Sequence, residues 1–511
     1  MDITPTDVAT PSETNFQTPL STLRRVWLWF GRIAVFAALL ITLYAQRNAI
    51  KLFADHAATV LPYPYQLNYG EGPLLDQTMR LSRGEEIYHN DLSTPPFTIA
   101  NYPPLYLIAQ LPFVQAYGAA FWYGRALSLA SSILAALLIG LTIRNVTRDW
   151  LAALVGGLTW FAFPYTLQWS PLNRIDTFAL MLSWAALFFV TLWPRKRRGL
   201  LLAALFLTAA AFTRQTYLLA APLAAFVYLF MGHKRRLRAI ILALLTGCLV
   251  LILFDVLLVL TRGGIVLNLI TANANAILPE TIELYVDEIT RHMPIFLGGA
   301  ALLLLSGLRW RTAGWWLAAP YFIGGLAVAF TIGKIGSDVN YLYELAAAFC
   351  LVAGVLIGSA RRIPLLRVAL LLLLAVQIMG MQHLTRERYY DTLISRAGND
   401  RTDDIERLRE IIGEHETVIT DEFMGLLPVE GQTIQFQPFE LSQMAQDGTW
   451  DESVFLDLIA SKAYEVIMIY QPARYPTVSE ERWTQAMRNQ INQSYRPMAR
   501  VGETTVYQPK D

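Results

Sequence analysis

Long apolar segments alternate with short polar ones through the first 385 residues of the chain. Many of these segments are long enough for a membrane-spanning helix, and the shorter ones suit half-helices or tilted helices in a bundle. The pattern predicts a polytopic α-helical membrane protein. The apolar segments are residues 26-46, 103-118, 120-143, 150-167, 177-193, 200-213, 215-231, 239-260, 294-308, 315-332, 341-359 and 366-384.

The last part of the chain has a different pattern, with lower hydrophobicity and more charge. Ile405, Leu408 and Ile412 fall on one face of a predicted helix. Further segments alternate between strand and helix patterns, which predicts a small α/β domain over residues 385-511. The predicted strands are TVITD, TIQFQP and EVIMIYQ, and the further predicted helices are ESVFLDLIASKAY and SEERWTQAMRNQ.

Composition excludes two broad classes. Of the 511 residues, 54% are hydrophobic and only 16% are charged, which is far from a soluble globular protein of this length. The formal net charge is +1, so no overall positive field favours nucleic acid, and we expect no nucleic-acid partner. The C-terminal part also lacks a glycine-rich nucleotide-binding loop.

Short basic loops predict the orientation, because Lys and Arg are retained on the cytoplasmic side of a membrane. Arg24 and Arg25 precede the first apolar segment, so the N-terminus is expected inside. Loop 51-102 and residues 385-511 are then expected outside. The basic loops are PRKRRG (194-199), HKRRLR (233-238), RWRTAG (309-314) and RRIPLLR (361-367).

Three regions follow from these patterns. Residues 1-22 are polar and rich in Ser, Thr and Pro, which predicts a disordered cytoplasmic N-terminus. Residues 23-384 form the transmembrane domain, and residues 385-511 the outer domain. Loop 51-102 and residues 385-511 are both expected outside, so an even number of segments must cross between them. Eleven of the 12 apolar segments lie there, so one of these does not fully span and about 11 segments cross in all. That segment is one of 103-118, 120-143 and 150-167.

The outer loop contains the charged stretch NYGEGPLLDQTMRLSRGEEIY, residues 68-88. Pro73 suits the first turn of a helix and Gly84 its end, which predicts a short helix on the membrane surface. Glu71 precedes this helix, where the helix dipole favours an ionised carboxylate. Such a carboxylate near lipid headgroups can accept a proton from a hydroxyl. The alternative is a capping or salt-bridged surface acid.

The order of several motifs resembles bacterial membrane glycosyltransferases of the GT-C superfamily, related to the protein O-mannosyltransferase and aminoarabinose transferase group. The resemblance covers residues 25-500 and implies a GT-C-like fold in the bacterial cytoplasmic (inner) membrane. The motifs are YGEGPLLDQTMRLSRGEEIY, NYPPLYLIAQLPF, NRIDTFALMLSWAALFF, FTRQTYLLAAPLA and GSDVNYLYELAAAFCLVAG, and FQPFELSQMAQDGTWDESVFLDLIASKAYEVIMI resembles the outer domain of uncharacterised members.

The resemblance implies an enzyme that transfers a sugar from a polyprenyl-phosphate donor to an acceptor on the outer face, with inversion. An acid in the first outer loop would be the general base, here Glu71 or Asp76. Many members have Asp-Glu or a lone Asp where this chain has Gly70-Glu71, so the choice stays open. Implied partners are membrane lipid, the lipid-linked donor and a glycan, lipid or protein acceptor. No cofactor is implied.

Cationic side chains would stabilise the leaving phosphate. Arg174, Arg214 and Lys334 fall at predicted outer helix ends. Each has a simpler interpretation: an interfacial ion pair for Arg174, a loop tip for Arg214 and a solvated turn for Lys334. By resemblance, the further substrate-binding residues are Tyr102, Asp176, Asn340, Tyr341 and Glu344.

Metal-binding patterns are weak. The histidines do not group at metal-ligand spacing. Loop 261-293 has acids that could hold a divalent cation, but their spacing is more typical of a solvated helix face. These acids are Glu280, Glu283, Asp287 and Glu288.

Two other functions stay open. Many apolar segments also suit a transporter or a flippase of lipid-linked glycans, but such proteins usually have repeated halves and midplane charges. This chain has no internal repeat, and most charges lie at segment ends. A catalytically inactive relative that acts in cell-envelope assembly is the other alternative, because Gly70-Glu71 departs from the family pattern.

Overall fold

The computed structural model describes residues 19–309, 311–390, 399–473 and 477–511. Residues 1-18 of the predicted disordered segment 1-22 lie outside the described residues. From Pro19 the chain is helical.

Most of the described residues between 19 and 390 are helical. Short 3-10 or π-helical turns join several of the helices, as at Thr159–Ala162 and Phe330–Gly333. The helices are α1 Pro19–Val60, α2 Glu71–Ser82, α3 Leu105–Tyr117, α4 Trp122–Thr147, α5 Trp150–Leu158, α6 Pro164–Trp169, α7 Asp176–Leu192, α8 Arg197–Ala211, α9 Ala220–Phe230, α10 Arg236–Leu260, α11 Gly264–Leu269, α12 Pro279–His292, α13 Pro294–Ser306, α14 Ala313–Ala329, α15 Tyr343–Ser359 and α16 Pro364–Leu384.

Several helices have the length and composition of membrane spans. Among the described residues, six pass both criteria, or seven if α12 and α13 count as one span bent by 89°. The predicted number of about 11 crossings is not confirmed by helix length. Shorter apolar helices, including Asp176–Leu192 and Gln215–Phe230, fall below the length criterion. On α10, Leu251 and Val259 are 62% and 77% exposed, as expected for a lipid-facing helix.

Helix α3 is too short to cross a bilayer alone. Its 13 residues span about 20 Å, against a hydrocarbon core of about 30 Å. The hydroxyl of Tyr106 near its start donates to the carbonyl of Gly124 near the start of α4, at 2.9 Å. The next residue, Arg125, pairs with Glu71 at the start of α2. Both ends of α3 therefore lie on the side of the bundle that carries α2.

The C-terminal part contains a four-stranded mixed sheet in the order β1-β2-β4-β3. Strands β1 and β2 are parallel, and the other neighbours are antiparallel. The elements are α17 Asn399–Gly413, β1 Val418–Thr420, α18 Leu426–Val429, α19 Pro438–Gln446, α20 Ser453–Ala460, β2 Val466–Tyr470, α21 Thr477–Arg482, α22 Gln485–Ser494, β3 Tyr495–Val501 and β4 Thr504–Pro509.

One local prediction for this part is wrong, and a second is right in type but is interrupted by a break between two helices. The segment TIQFQP does not form a strand of the sheet. Its residue Phe436 instead forms an isolated β-bridge with Phe97. SEERWTQAMRNQ forms two helices, because the hydroxyl of Thr484 accepts from the amide of Met487 and begins a new helix there. The hairpin β3-β4 lies beyond all predicted elements.

Loop 51-102, called the outer loop after its expected orientation, shares a hydrophobic core with the C-terminal part. The amide of Phe97 donates to the carbonyl of Gln435 at 2.8 Å, and the amide of Gln437 donates back to Phe97 at 3.0 Å. The ring of Phe97 packs against Trp450 and Phe455. The loop is thereby held against residues far along the sequence, and together they enclose the cavity described next.

Candidate active site

A cavity of about 690 Å³ lies where the helical bundle, the outer loop and the C-terminal part meet. All three regions contribute polar side chains to its wall. Selected lining residues are Tyr69, Gly70, Asn101 and Tyr102 from the outer loop, Trp169, Arg174, Arg214, Asn273, Lys334, Asp338 and Tyr341 from the bundle and its loops, and Glu422, Glu440, Glu481 and Arg482 from the C-terminal part.

Arg174 lies at the cavity wall between aromatic rings. Its guanidinium is 4.9 Å from the centre of the Trp169 ring, and it donates to the hydroxyl of Tyr102 at 3.2 Å. In the described residues its Nε has no hydrogen-bond partner. Gly70 leaves room for this side chain, because a Cβ at residue 70 would overlap the guanidinium. Arg174 therefore retains hydrogen-bonding capacity for an anion.

Lys334 is a second cation at the same cavity. Its ammonium donates to the side-chain oxygen of Asn273 at 3.4 Å. Burial, with a smaller contribution from the positive charge of Arg214, lowers the pKa of Lys334 to about 8. An approaching anion would favour the charged form of this lysine and would be attracted by its charge.

Asp176 orients Arg214 from the side that faces away from the cavity. The two form a buried ion pair, and the guanidinium lies 4.3 Å from the centre of the Tyr341 ring. Asp176 also accepts from the indole of Trp169 at 2.6 Å and from the amide of Asn340 at 3.1 Å. Asp176 and Asn340 therefore lie behind the cavity wall, where they position Arg214 and Trp169.

Glu71 is completely enclosed and does not line the cavity. Its two oxygens accept from Nε and Nη2 of Arg125 at 2.9 and 2.8 Å. They also accept from the amides of Leu67 and Asn173, each at 2.7 Å. Burial alone would raise the pKa of Glu71, but the charge and hydrogen bonds of Arg125 outweigh it and leave the pKa below its usual value. These contacts hold the carboxylate of Glu71 between Arg125 and two backbone amides.

Asp76 is likewise buried away from the cavity. It pairs with Arg80 at 2.8 Å and accepts from the amide of Ile434 at 3.1 Å, and Arg80 donates to the carbonyl of Ile434 at 2.5 Å. Burial raises the pKa of Asp76, partly offset by Arg80. The pair binds the backbone of the C-terminal part to α2.

Glu440, on the first turn of α19, lines the cavity and is absent from the predicted site residues. One of its oxygens accepts from the hydroxyl of Tyr69 at 3.1 Å and the other from the amide of Asn101 at 3.0 Å. Burial raises the pKa of this carboxyl. The sequence contains one signal for this residue. In the segment PFELSQ, Glu440 is the one acid, and it lies at the start of a helix between apolar residues.

The structure thus brings half of the predicted site residues to one cavity. Tyr102, Arg174, Arg214, Lys334 and Tyr341 line it. Glu344 does not, and within the described residues neither of its buried carboxylate oxygens has a hydrogen-bond partner.

Metal ligands do not cluster in the described ranges, where no group of three or more His, Cys, Asp or Glu side chains could hold an ion. In the acidic loop, Glu288 is buried and bound to Tyr165, Tyr389 and Arg388. The interpretation as a solvated acidic face is therefore wrong for Glu288. Glu280, Glu283 and Asp287 are exposed, as expected.

Comparisons with known proteins agree with this architecture. The sequence family described as dolichyl-phosphate-mannose-protein mannosyltransferase matches residues 101–259. Curated protein sequences give no match.

Two solved structures share the fold. ArnT from Cupriavidus metallidurans, bound to undecaprenyl phosphate, matches with a TM-score of 0.59 and 15% identity over 90% of this chain and 97% of that one. The apo oligosaccharyltransferase of Archaeoglobus fulgidus matches with a TM-score of 0.57 and 12% identity, over 90% of this chain and 72% of that one. The motif-based resemblance is therefore confirmed, and the chain has the fold of membrane glycosyltransferases of the GT-C superfamily.

Proposed function

We propose that the protein is an inverting membrane glycosyltransferase that uses a polyprenyl-phosphate sugar. The observation that carries this proposal is the cavity that receives Arg174, Arg214 and Lys334 in a GT-C fold. Arg174 and Lys334 have no carboxylate partner within ion-pair distance among the described residues, so a phosphate would complete their interactions.

The surroundings of the cavity support this donor class. Polar and charged groups line the cavity, and two helices of spanning length contribute Thr331 and Tyr341 to its wall. A sugar phosphate carried on a long isoprenoid chain would place its headgroup at the cations and its tail in the bilayer. The similarity to ArnT, whose structure contains undecaprenyl phosphate, supports this class of ligand.

We place the cavity on the outer face of a bacterial cytoplasmic membrane, with the N-terminus inside. The distribution of basic loops supports this orientation. Both ends of α3 lie on the side of the bundle that carries α2, so in this proposal α3 lies in the membrane–water interface on the outer face and does not cross the bilayer. Two of the three apolar segments between residues 103 and 167 then cross, which is the even number that the orientation requires. The domain boundary at residue 385 and the total of about 11 crossings belong to the same proposal.

The outer-loop acids take a different role from the one implied by the family resemblance. Glu71 and Asp76 have their oxygens bound by arginines and backbone amides. A general base must reach the proton it removes. In this proposal both acids position the loop, and the proton acceptor lies elsewhere.

Binding of undecaprenyl phosphate to the full chain in lipid nanodiscs tests the proposal. Each of Arg174→Gln and Lys334→Gln should weaken binding about ten- to a hundredfold, the usual value of a charged hydrogen bond. Arg83→Gln is the control, because Arg83 forms an exposed pair with Glu85. Equal binding by all variants would contradict the site.

Turnover separates an enzyme from a transporter or an inactive relative. The chain is incubated with a panel of undecaprenyl-phosphate hexoses and pentoses and a bacterial envelope extract as acceptor source. Release of undecaprenyl phosphate, measured by mass spectrometry, is expected for at least one donor. Binding without release would favour one of the two non-catalytic alternatives.

A further inference from the structure

The acids that line the cavity differ in what already binds them. Glu422 pairs with Arg482 at 2.7 Å, and Asp338 accepts from the amide of Val339 at 2.7 Å. Glu481 is exposed at the end of α21. Glu440 is buried, and its hydrogen bonds come from neutral donors. Among the described lining residues, it is the acid that keeps a buried carboxylate without an ion pair.

Each oxygen of Glu440 holds one neutral donor, from Tyr69 on one side and Asn101 on the other. A carboxylate has about four lone-pair positions, so each oxygen can accept a second hydrogen bond. The two donors fix the plane of the carboxylate without neutralising its charge. This is the arrangement that a proton acceptor requires.

Short connections link Glu440 to the cations. Asn101 contacts Asn273 at 3.5 Å through their side chains, and Asn273 accepts from Lys334 at 3.4 Å. On the other side, Tyr69 precedes Gly70, the residue against which the guanidinium of Arg174 lies. The acid and the two cations therefore face one cavity across a few side chains.

We propose that Glu440 is the general base of the transfer reaction, an assignment that rests on the proposed function. The carboxylate accepts the proton of an acceptor hydroxyl while that oxygen forms a bond to the anomeric carbon of the donor. The bond between the anomeric carbon and the phosphate oxygen breaks, and its electron pair leaves with the polyprenyl phosphate. Arg174 and Lys334 stabilise that phosphate, and water later removes the proton from Glu440.

Glu440→Gln tests the assignment, because the amide keeps the size of the side chain and cannot accept the proton as a carboxylate does. We expect undecaprenyl phosphate to bind as in the wild type and its release from the active donor to fall about a hundredfold or more. Asp447→Asn is the matched control, since Asp447 is an exposed acid at the other end of α19. It should keep wild-type release.

Azide distinguishes a base from a structural residue. Azide is a nucleophile with no proton to remove, so it bypasses the general base. In Glu440→Ala, added azide should restore release of undecaprenyl phosphate and give a glycosyl azide of inverted configuration. A variant that merely distorted the site would gain nothing from azide.

The outcomes separate the two proposals. Wild-type release by Glu440→Gln, or no azide rescue in a Glu440→Ala variant that still binds undecaprenyl phosphate, would overturn the assignment and leave the proposed function standing. A wild-type chain that releases undecaprenyl phosphate from no donor would overturn both. Loss of release with retained binding and azide rescue would support the base.

Discussion

Glu71 and Arg125 form a two-point ion pair in which both side chains are fully buried. Arg125 also donates to the carbonyls of Val60 and Tyr65, at 3.0 and 2.7 Å. The pair thus joins the end of α1, the start of α2 and the start of α4. These contacts explain how a buried charge is tolerated near the start of α4.

Removing one member of this pair should destabilise the protein strongly. Glu71→Gln leaves a buried guanidinium without its counter-charge, at a cost of about 3–5 kcal/mol. We expect a clearly lower melting temperature in detergent, followed by fluorescence-detected size-exclusion chromatography after heating. Glu85→Gln, at an exposed pair, should leave it unchanged. A Glu71→Gln variant that keeps its melting temperature but loses turnover would instead indicate that Glu71 is the base.

Gly70 should control phosphate affinity through Arg174. In Gly70→Ala the new methyl group would displace the guanidinium from its position over Trp169. We expect undecaprenyl phosphate to bind about tenfold more weakly, a loss of about 1.4 kcal/mol. Gly247→Ala on α10 is the control, because nothing lies near a Cβ at that residue. Unchanged affinity in Gly70→Ala would mean that Arg174 does not contact the phosphate.

Lys334 should make binding depend on pH. Its pKa is lowered to about 8, so the charged form that attracts phosphate dominates below pH 7 and is lost as pH rises through 8. Phosphate monoesters lose their second proton near pH 6, so the ligand's charge is nearly constant over this range. Affinity for undecaprenyl phosphate should fall between pH 7 and 9. Lys334→Arg, which stays charged, should bind without this decline. A decline that persists in Lys334→Arg would assign it to another group.

The fold and half of the predicted site residues could be derived from the sequence because their signals are local. Arg174 and Arg214 stand out as cations at the ends of apolar segments, where charge is costly without a purpose. The partner of Glu71 could not be derived, since Arg125 lies 54 residues away and no pattern connects them. The contact from Tyr69 to Glu440 spans 371 residues and depends on how the C-terminal part packs.

The missed strands have a similar explanation. Strand β3 is exposed over most of its length, so it has no alternation of apolar and polar residues to detect. It contains Pro497. Proline is tolerated in an edge strand, but in a sequence pattern it argues against predicting a strand. Tertiary pairing with β4 overrides both local signals.

Asp76 should hold the C-terminal part against α2. Asp76→Asn weakens the pair with Arg80, and both residues bind the backbone of Ile434. We expect limited proteolysis in detergent to cleave the C-terminal part several times faster than in the wild type. Glu410→Gln, an exposed acid on α17, serves as the control. Equal cleavage rates would show that the shared aromatic core alone secures this contact.

Cysteine labelling in intact cells tests the orientation. In a background with Cys248 and Cys350 replaced by Ser, Asp447→Cys should react with a membrane-impermeant maleimide, because the C-terminal part is proposed to lie outside. Lys196→Cys, in a basic loop, should react only after the cells are lysed. The reverse pattern would place the cavity on the cytoplasmic face.

The contact between Tyr69 and Glu440 joins two stretches of the chain that are 371 residues apart in sequence. A chimera that takes residues 399–511 from a relative would keep the two arginines and the lysine that we propose to bind the lipid carrier, and would replace the acid at the same cavity. Under the proposed function, recognition of the carrier phosphate and acceptance of the proton are therefore encoded in different parts of the chain.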